Sequence, residues 1–199
     1  MIENKKRLGS IKRNTAETSI SLQYNIDGTG QTNIETGVPF LDHMLILFTK
    51  HGLFDLTVKA EGDTYVDSHH TTEDVGICLG IALQEALGDK KGIKRYGNSF
   101  VPMDEALAQV VIDLSNRPAF VFKADIPKIN LGSFETELVE EFLWKLAIEA
   151  RMNLHVIVHY GSNTHHIIEA IFKALAKALD EATQFDSRVQ GVPSTKGLL

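Results

Sequence analysis

The sequence predicts an α+β fold made by internal duplication. The first sign is a cluster: His69-His70-Thr71-Thr72-Glu73 returns as His165-His166-Ile167-Ile168-Glu169, 96 residues later. The match also runs forward, since HHTTEDVGICLGIALQEA set beside HHIIEAIFKALAKALDEA keeps eight of eighteen residues. Self-similarity at a fixed spacing marks a repeated structural unit. Finally, segments of period two and of period 3.6 follow one another in similar order in both halves, as strands and helices of an α+β unit do. Reading backward with a two-residue gap sets LDHMLILFTKHGLFDLTVKA beside VEEFLWKLAIEARMNLHVIV, which puts His43 opposite Glu141 and Asp42 opposite Glu140. Two half-domains, 1–92 and 93–185, are expected to form one compact unit, with a tail over 186–199 that closes the site.

The elements follow from local pattern. Residues 7–14 and 18–26 alternate as strands, with Ile20, Leu22, Tyr24 and Ile26 on one side. Asp27-Gly28-Thr29-Gly30 turns, and 31–36 reads as the returning strand. Pro39 suits the first turn of a helix over 40–52, because its missing N–H is not needed there. Phe54 to Ala60 alternates again, Glu61-Gly62-Asp63 turns, and a helix over about 70–87 ends at Gly88. In the second half, 106–113 and 119–124 read as strands around the turn Ser115-Asn116-Arg117-Pro118. A helix over 136–150, a strand over 153–159 and a helix over 165–183 complete it. Strands in hairpins with paired helices imply helices on one face of each sheet.

Composition narrows the function classes. With 43% apolar and 23% charged residues the chain is an ordinary globular one. A net charge of −6 argues against nonspecific nucleic-acid binding. No run of about 18 apolar residues is present, so no membrane span is expected. The start MIENKKRLGSIKRN lacks the apolar stretch of a secretory signal, which makes the cytoplasm the default location. The single cysteine, Cys78, excludes an intramolecular disulfide and lies in an apolar run as a small buried residue.

The repeated cluster carries the chemistry. Residues i and i+4 share a helix face, so His69 with Glu73, and His165 with Glu169, can converge on one ion. Adjacent residues diverge by about 100°, which sends His70 and His166 toward another ion. His43 and Glu141, matched by the duplication, are candidates for one equivalent role. The simplest arrangement is two metals, each taking ligands from both halves. Imidazoles and carboxylates together favour octahedral Mn, Fe or Co, with Zn also compatible. Asp42, Glu140 and Asp74 adjoin these ligands and are candidates for orienting imidazoles. Arg95, Arg117, Lys173 and Lys196 stand in turns or near the clusters and together suit a phosphate. Glu17 and Glu105 occupy matching strand starts, where a carboxylate near a metal pair can act as acid or base.

The strings LDHML, DSHHTTEDVG, RYG with PMDEAL, DLSNRP, LHV, GSNTHHIIEAIFKALAKAL and STKG together resemble the imidazoleglycerol-phosphate dehydratases. The resemblance runs from about residue 7 to residue 199. It implies the ribosomal protein S5 domain 2-like arrangement, with a mostly antiparallel four-stranded sheet and two helices in each half. It further implies two Mn²⁺ per active site, assembly of trimers into a 24-subunit homo-oligomer, and sites between subunits. The implied metal ligands are His43, His69, His70, Glu73, His165, His166 and Glu169, with Glu141 where some members carry histidine. Of these, His43, His70, Glu73, His166 and Glu169, with Glu17, form the implied catalytic set. Substrate phosphate would meet Arg95, Arg117, Lys173 and Lys196, with Ser194 and Thr195 donating, while Glu17 and His51 face the substrate.

The implied reaction removes water from imidazole glycerol phosphate to give imidazole acetol phosphate. No carbonyl adjoins the carbon that loses its proton, so the imidazole ring serves as the electron reservoir. Metals on the ring nitrogens favour imidazolate, which expels the neighbouring hydroxyl through a diazafulvene-like intermediate. Glu17 is assigned the proton transfer, with another carboxylate or a metal-bound water as alternatives. Two other readings use the same ligand types: a dinuclear metal phosphoesterase and a non-catalytic metal-binding assembly protein. The four cations speak against the second, since storage needs no phosphate clamp.

Overall fold

The computed structural model describes residues 7–198. Residues 1–6 and Leu199, and with them the outer limits of the expected first half-domain and of the tail, lie outside the described residues. The first half runs β1 (Leu8–Asn14), β2 (Thr18–Asn25), β3 (Thr32–Glu35), α1 (Pro39–Gly52), β4 (Asp55–Gly62) and α2 (His69–Leu87). The second runs β5 (Tyr96–Met103), β6 (Ala106–Asp113), β7 (Ala119–Lys123), a short hairpin of β8 (Asn130–Leu131) and β9 (Phe134–Glu135), α3 (Leu138–Glu149), β10 (Asn153–Tyr160) and α4 (Thr164–Thr183).

The two main sheets repeat one topology, β1-β2-β4-β3 and β5-β6-β10-β7. In each, three strands are antiparallel and the edge strand is parallel to its neighbour. The α+β fold with duplicated halves is therefore present as expected. Two local expectations are corrected. Residues 31–36 do not return against β2. β3 crosses the sheet and pairs in parallel with β4, Ile34 opposite Val58. A four-residue strand has too few side chains to specify its partner by pattern alone. The second correction is β5, which the alternation does not reveal because Pro102 and Gly97 interrupt it. Pro102 is tolerated because β5 is an edge strand.

Alternation decides which side of each sheet is covered. Ile20, Leu22 and Tyr24 of β2, and Ala106, Ala108, Val110 and Ile112 of β6, are buried. Helix α2 lies on β1 and β2, and α4 on β5 and β6. The opposite faces of these helices are also apolar and meet helices of the other half: α2 packs against α3, and α1 against α4. Tyr24, Phe48 and Phe54 form one aromatic knot with ring centroids 5.2–6.1 Å apart. Phe142 of α3 and Phe172 of α4 meet as a tilted ring pair with centroids 5.5 Å apart.

The duplication reaches single atoms. A Cβ on Gly9 of β1 would collide with the carbonyl of Ala82 in α2, and a Cβ on Gly97 of β5 with the carbonyl of Ala178 in α4. Each edge strand thus approaches its helix so closely that only hydrogen fits. Gly97→Ala is expected to lower stability by roughly 1–3 kcal/mol, the usual cost of overpacking. Thermal unfolding of the variant with the same metal content as the parent checks this, and an unchanged midpoint would show that α4 can shift freely.

Candidate active site

The cross-half packing assembles two clusters. In one, His43 of α1 meets His165 and Glu169 of α4, with potential ligand atoms within 4.8 Å of one another. The His43 Nε2 lies 2.9 Å and the His165 Nε2 3.2 Å from the same oxygen, Glu169 Oε1. The other oxygen, Oε2, accepts from the Lys173 ammonium at 2.6 Å. In the second cluster His69 and Glu73 of α2 meet Glu141 of α3 on the same 4.8 Å scale. Here His69 Nε2 is 3.9 Å from Glu73 Oε2, and the Lys145 ammonium reaches Glu73 Oε1 at 2.8 Å and Glu141 Oε1 at 3.2 Å. Two imidazoles with one carboxylate, and one imidazole with two carboxylates, suit a divalent ion of intermediate hardness. The residues therefore fit the implied metals, each cluster supplying three donors.

Electrostatics differ between the clusters. Burial pushes the Glu169 carboxyl up, but hydrogen bonds from Lys173 and His43 and the Lys173 charge outweigh it and hold it near about 2. Glu169 is ionised at any ordinary pH, as a ligand must be. The Lys145 ammonium is stabilised chiefly by its hydrogen bond to Glu73, which raises its pKa against the opposing effect of burial.

His70 and His166 join neither cluster. They begin the same helices but turn toward strand ends. His70 Nδ1 meets Asp63 at 3.0 Å, and its Nε2 lies 3.7 Å from Glu17. His166 Nδ1 meets Glu105 at 2.8 Å, and its Nε2 lies 3.9 Å from Asp104. The hydrogen bond to Asp63 raises the pKa of His70, and that to Glu105 raises the pKa of His166. Glu105 itself is lowered to about 2, first by His166 and then by the Asn163 N–H. Its carboxylate also accepts the Ser162 N–H at 3.1 Å, so it fastens the loop that leads into α4.

A cleft of about 580 Å³ is lined by Arg95, Tyr96, Arg117, Pro193, Ser194, Thr195 and Lys196. Five of the six expected phosphate-facing residues, all but Lys173, thus come together. Arg95 is held by Asp113 at 2.6 and 3.0 Å and donates to the Pro193 carbonyl at 2.8 Å, which draws the tail over the cleft. Arg117 sits in a turn whose frame is buried. The Lys90 ammonium donates to Asn116 Oδ1 at 2.8 Å, and Asn153 donates to the Arg117 carbonyl. Lys173 is not part of this cleft lining; it is engaged with Glu169 and with Met103 Sδ at 3.1 Å. His51 is half-buried, and burial together with the Lys173 and Lys177 charges lowers its pKa.

Three expectations about orienting carboxylates are corrected. Asp74 binds no imidazole; it is buried, accepts from Arg13 at 2.9 Å and Thr18 at 2.5 Å, and so ties α2 to its sheet. Asp42 accepts the Thr36 N–H and hydroxyl at 2.9 and 2.6 Å, fixing the entry into α1. Glu140 faces outward on α3 and is exposed. The groups that do meet the ligand candidates, Asp63 on His70 and Lys145 on Glu73 and Glu141, lie in a turn and on a helix face where sequence marks nothing unusual. Lys145 has one sequence signal, its position four residues after Glu141.

A duplicated α+β unit with paired His/Glu clusters and a basic cleft defines a metal-dependent enzyme acting on a phosphorylated small molecule. Known proteins agree. The profile of imidazoleglycerol-phosphate dehydratase matches residues 36–179. Imidazoleglycerol-phosphate dehydratase of Halalkalibacterium halodurans is 72% identical over 193 residues, covering 97% of this chain and all of that protein. The enzyme of that name from Bacillus subtilis is 71% identical over 187 residues, covering 94% of this chain and 96% of its own. Among solved structures, the Staphylococcus aureus imidazoleglycerol-phosphate dehydratase superposes with a TM-score of 0.82 at 44% identity, over 90% of this chain and 99% of that one. The Pyrococcus furiosus structure, a complex with (S)-C348, gives 0.81 at 38% identity over 95% and 100%. The chain belongs to the imidazoleglycerol-phosphate dehydratase family, hydro-lyases of histidine biosynthesis.

The buried frame under Arg117 yields a pH prediction. Burial first, and then the Arg151 charge, pull Lys90 from its ordinary 10.5 down to about 8. Between these values the unfolded chain holds a proton that the folded chain has released, so stability from this residue rises as pH increases through the window. Lys90→Met removes that rise. The difference between wild-type and variant unfolding midpoints is expected to move in the wild type's favour from pH 7 to pH 10; a constant difference would show an unperturbed Lys90.

Proposed function

We propose that this chain converts D-erythro-imidazole glycerol phosphate to imidazole acetol phosphate with two Mn²⁺ per active site. The observation that carries the reading is the pair of three-residue clusters, each drawn from both halves, in a chain that also presents a basic cleft. Family membership favours dehydration over a phosphoesterase or a non-catalytic metal-binding role. His43, His165 and Glu169 would hold one ion and His69, Glu73 and Glu141 the other. When bound, the ions supply positive charge at the substrate's ring nitrogens, which lets the ring carry the electron pair released from carbon.

The chain's own residues do the rest. Arg95, Arg117 and Lys196, with the Ser194 and Thr195 hydroxyls, hold the phosphate end and so fix the carbon chain. Lys173 keeps Glu169 ionised and correctly turned. Glu17, exposed and 3.7 Å from His70 Nε2, takes the carbon-bound proton as the hydroxyl next to the ring leaves, and the resulting enol becomes the ketone. His51, with its lowered pKa, presents a neutral imidazole to the substrate at neutral pH.

We further read residues 1–92 and 93–185 as the two half-domains, with 186–199 as a closing tail. His70 and His166 stand outside their own chain's clusters, which supports sites completed between subunits of a 24-subunit particle built from trimers. No helix among the described residues is long and apolar enough to cross a membrane, and we place the enzyme in the cytoplasm.

Turnover of imidazole glycerol phosphate by metal-stripped protein, before and after Mn²⁺, tests the reading with ketone and free phosphate followed together. Mn²⁺-dependent ketone without phosphate is expected; free phosphate would mean a phosphoesterase. Glu17→Gln is expected to lower kcat by about 10²–10⁴-fold with Mn²⁺ binding unchanged, the range for loss of a general acid or base. Arg117→Met is expected chiefly to raise KM; a fall in kcat alone would remove it from phosphate binding.

A further inference from the structure

The two clusters are related by the duplication, yet their cations come from opposite helices. On α4, Lys173 follows Glu169 by four residues and takes its outer oxygen, leaving Oε1 to the two imidazoles. The residue in the matching place on α2, four after Glu73, is Ile77. The ammonium at the second cluster comes instead from Lys145 of α3, four residues after Glu141. It contacts two of the three donors of that cluster, Glu73 and Glu141, at 2.8 and 3.2 Å. Glu141 is also where the duplication would place a second imidazole, since it stands opposite His43. The second cluster therefore carries one carboxylate more than the first and a lysine that bridges both.

We propose that Lys145 is a positioning residue that stands in for a cation: its ammonium holds Glu73 and Glu141 together without metal and must leave before an ion can take them both. Two carboxylates drawn within 4.8 Å of one donor set repel each other unless a cation lies between them. An ion on the same oxygens would lie close to the ammonium, and the like charges would oppose its entry. The displaced ammonium has a place to rest, for it already lies 4.4 Å from the centroid of the Trp144 ring. At the first cluster no such displacement is needed, because Lys173 occupies only the oxygen turned away from the imidazoles. The first cluster then fills first, and the second fills at a higher metal concentration that Lys145 sets.

This inference rests on the reading of both clusters as metal sites. The test is Mn²⁺ titration of the metal-stripped full-length protein, with free Mn²⁺ followed by electron paramagnetic resonance, and thermal unfolding of the same samples without metal. The proteins are wild type, Lys145→Met, Lys145→Arg, Glu141→His and the double variant Glu141→His/Lys145→Met. Wild type is expected to show a tighter and a weaker class of site. Lys145→Met tightens the weaker class by about tenfold, the scale on which neighbours of metal ligands act, and lowers the metal-free unfolding midpoint by about a few degrees. Lys145→Arg restores the metal-free midpoint. With histidine at position 141 one carboxylate is gone, and adding Lys145→Met changes Mn²⁺ affinity by less than about twofold. A weaker class that Lys145→Met leaves unchanged or weakens, or an equal effect in both backgrounds, overturns the inference while the metal reading stands. Absence of Mn²⁺ binding in all five proteins overturns the metal reading and this inference with it.

Discussion

A helix laid on a four-stranded sheet buries one side only, and α2 and α4 are apolar on more than one. Twelve residues of α2 and fourteen of α4 are buried, more than one sheet face can cover. The remaining apolar surface has to find another helix, and the one available belongs to the other half. So α2 closes on α3 and α1 on α4. Both ligand clusters depend on that closure, because His43 reaches His165 and Glu169, and Glu141 reaches His69 and Glu73, only across it. A half alone would own one pair of ligands, one separate donor and no complete cluster.

The same constraint explains where polar groups go. Charges brought to a helix interface must be paired, since an unpaired buried charge costs several kcal/mol. The three cluster glutamates are accordingly matched by two lysines: Glu169 by Lys173, and Glu73 and Glu141 by Lys145. The histidines at the helix starts are matched by carboxylates from the strand ends, Asp63 for His70 and Glu105 for His166. Pairing also fixes which atoms are free to bind a ligand. Glu169 keeps Oε1 toward the imidazoles because Oε2 belongs to Lys173. Asp74, adjacent to the cluster in sequence, faces the sheet instead and anchors Arg13 and Thr18, which steadies the helix that carries His69 and Glu73.

The basic cleft is built by a different device. Its cations lie on turns and on the tail, and partners below hold them. Asp113 clamps Arg95, Lys90 and Asn153 brace the turn of Arg117, and the Pro193 carbonyl brings Ser194, Thr195 and Lys196 over the opening. Strands β6 and β10 carry Asp113 and Asn153, and Lys90 reaches in from the connector before β5, so the cleft is positioned by the second half while the clusters are positioned by the helix layer. A substrate with a phosphate at one end and a planar nitrogen ring at the other has use for both.

The duplication, the α+β class and the chemical identity of the donors are legible in the order of residues alone. The HHxxE pair, its 96-residue spacing and the alternation of β2 and β6 are local patterns that depend only on helix and strand periods. Convergence of i and i+4 on a helix face pairs His69 with Glu73 and His165 with Glu169 independently of any tertiary contact. Tertiary structure decided the rest. Strand β3 took the far edge beside β4, a pairing that four residues cannot specify. Asp63 became the partner of His70, and Lys145 that of both second-cluster glutamates. Asp42 and Asp74 turned away from the imidazoles they adjoin in sequence. These outcomes turn on which faces pack across the two halves, and a side chain's neighbours across such a contact are fixed by distance in space, which the order of residues along one chain does not record.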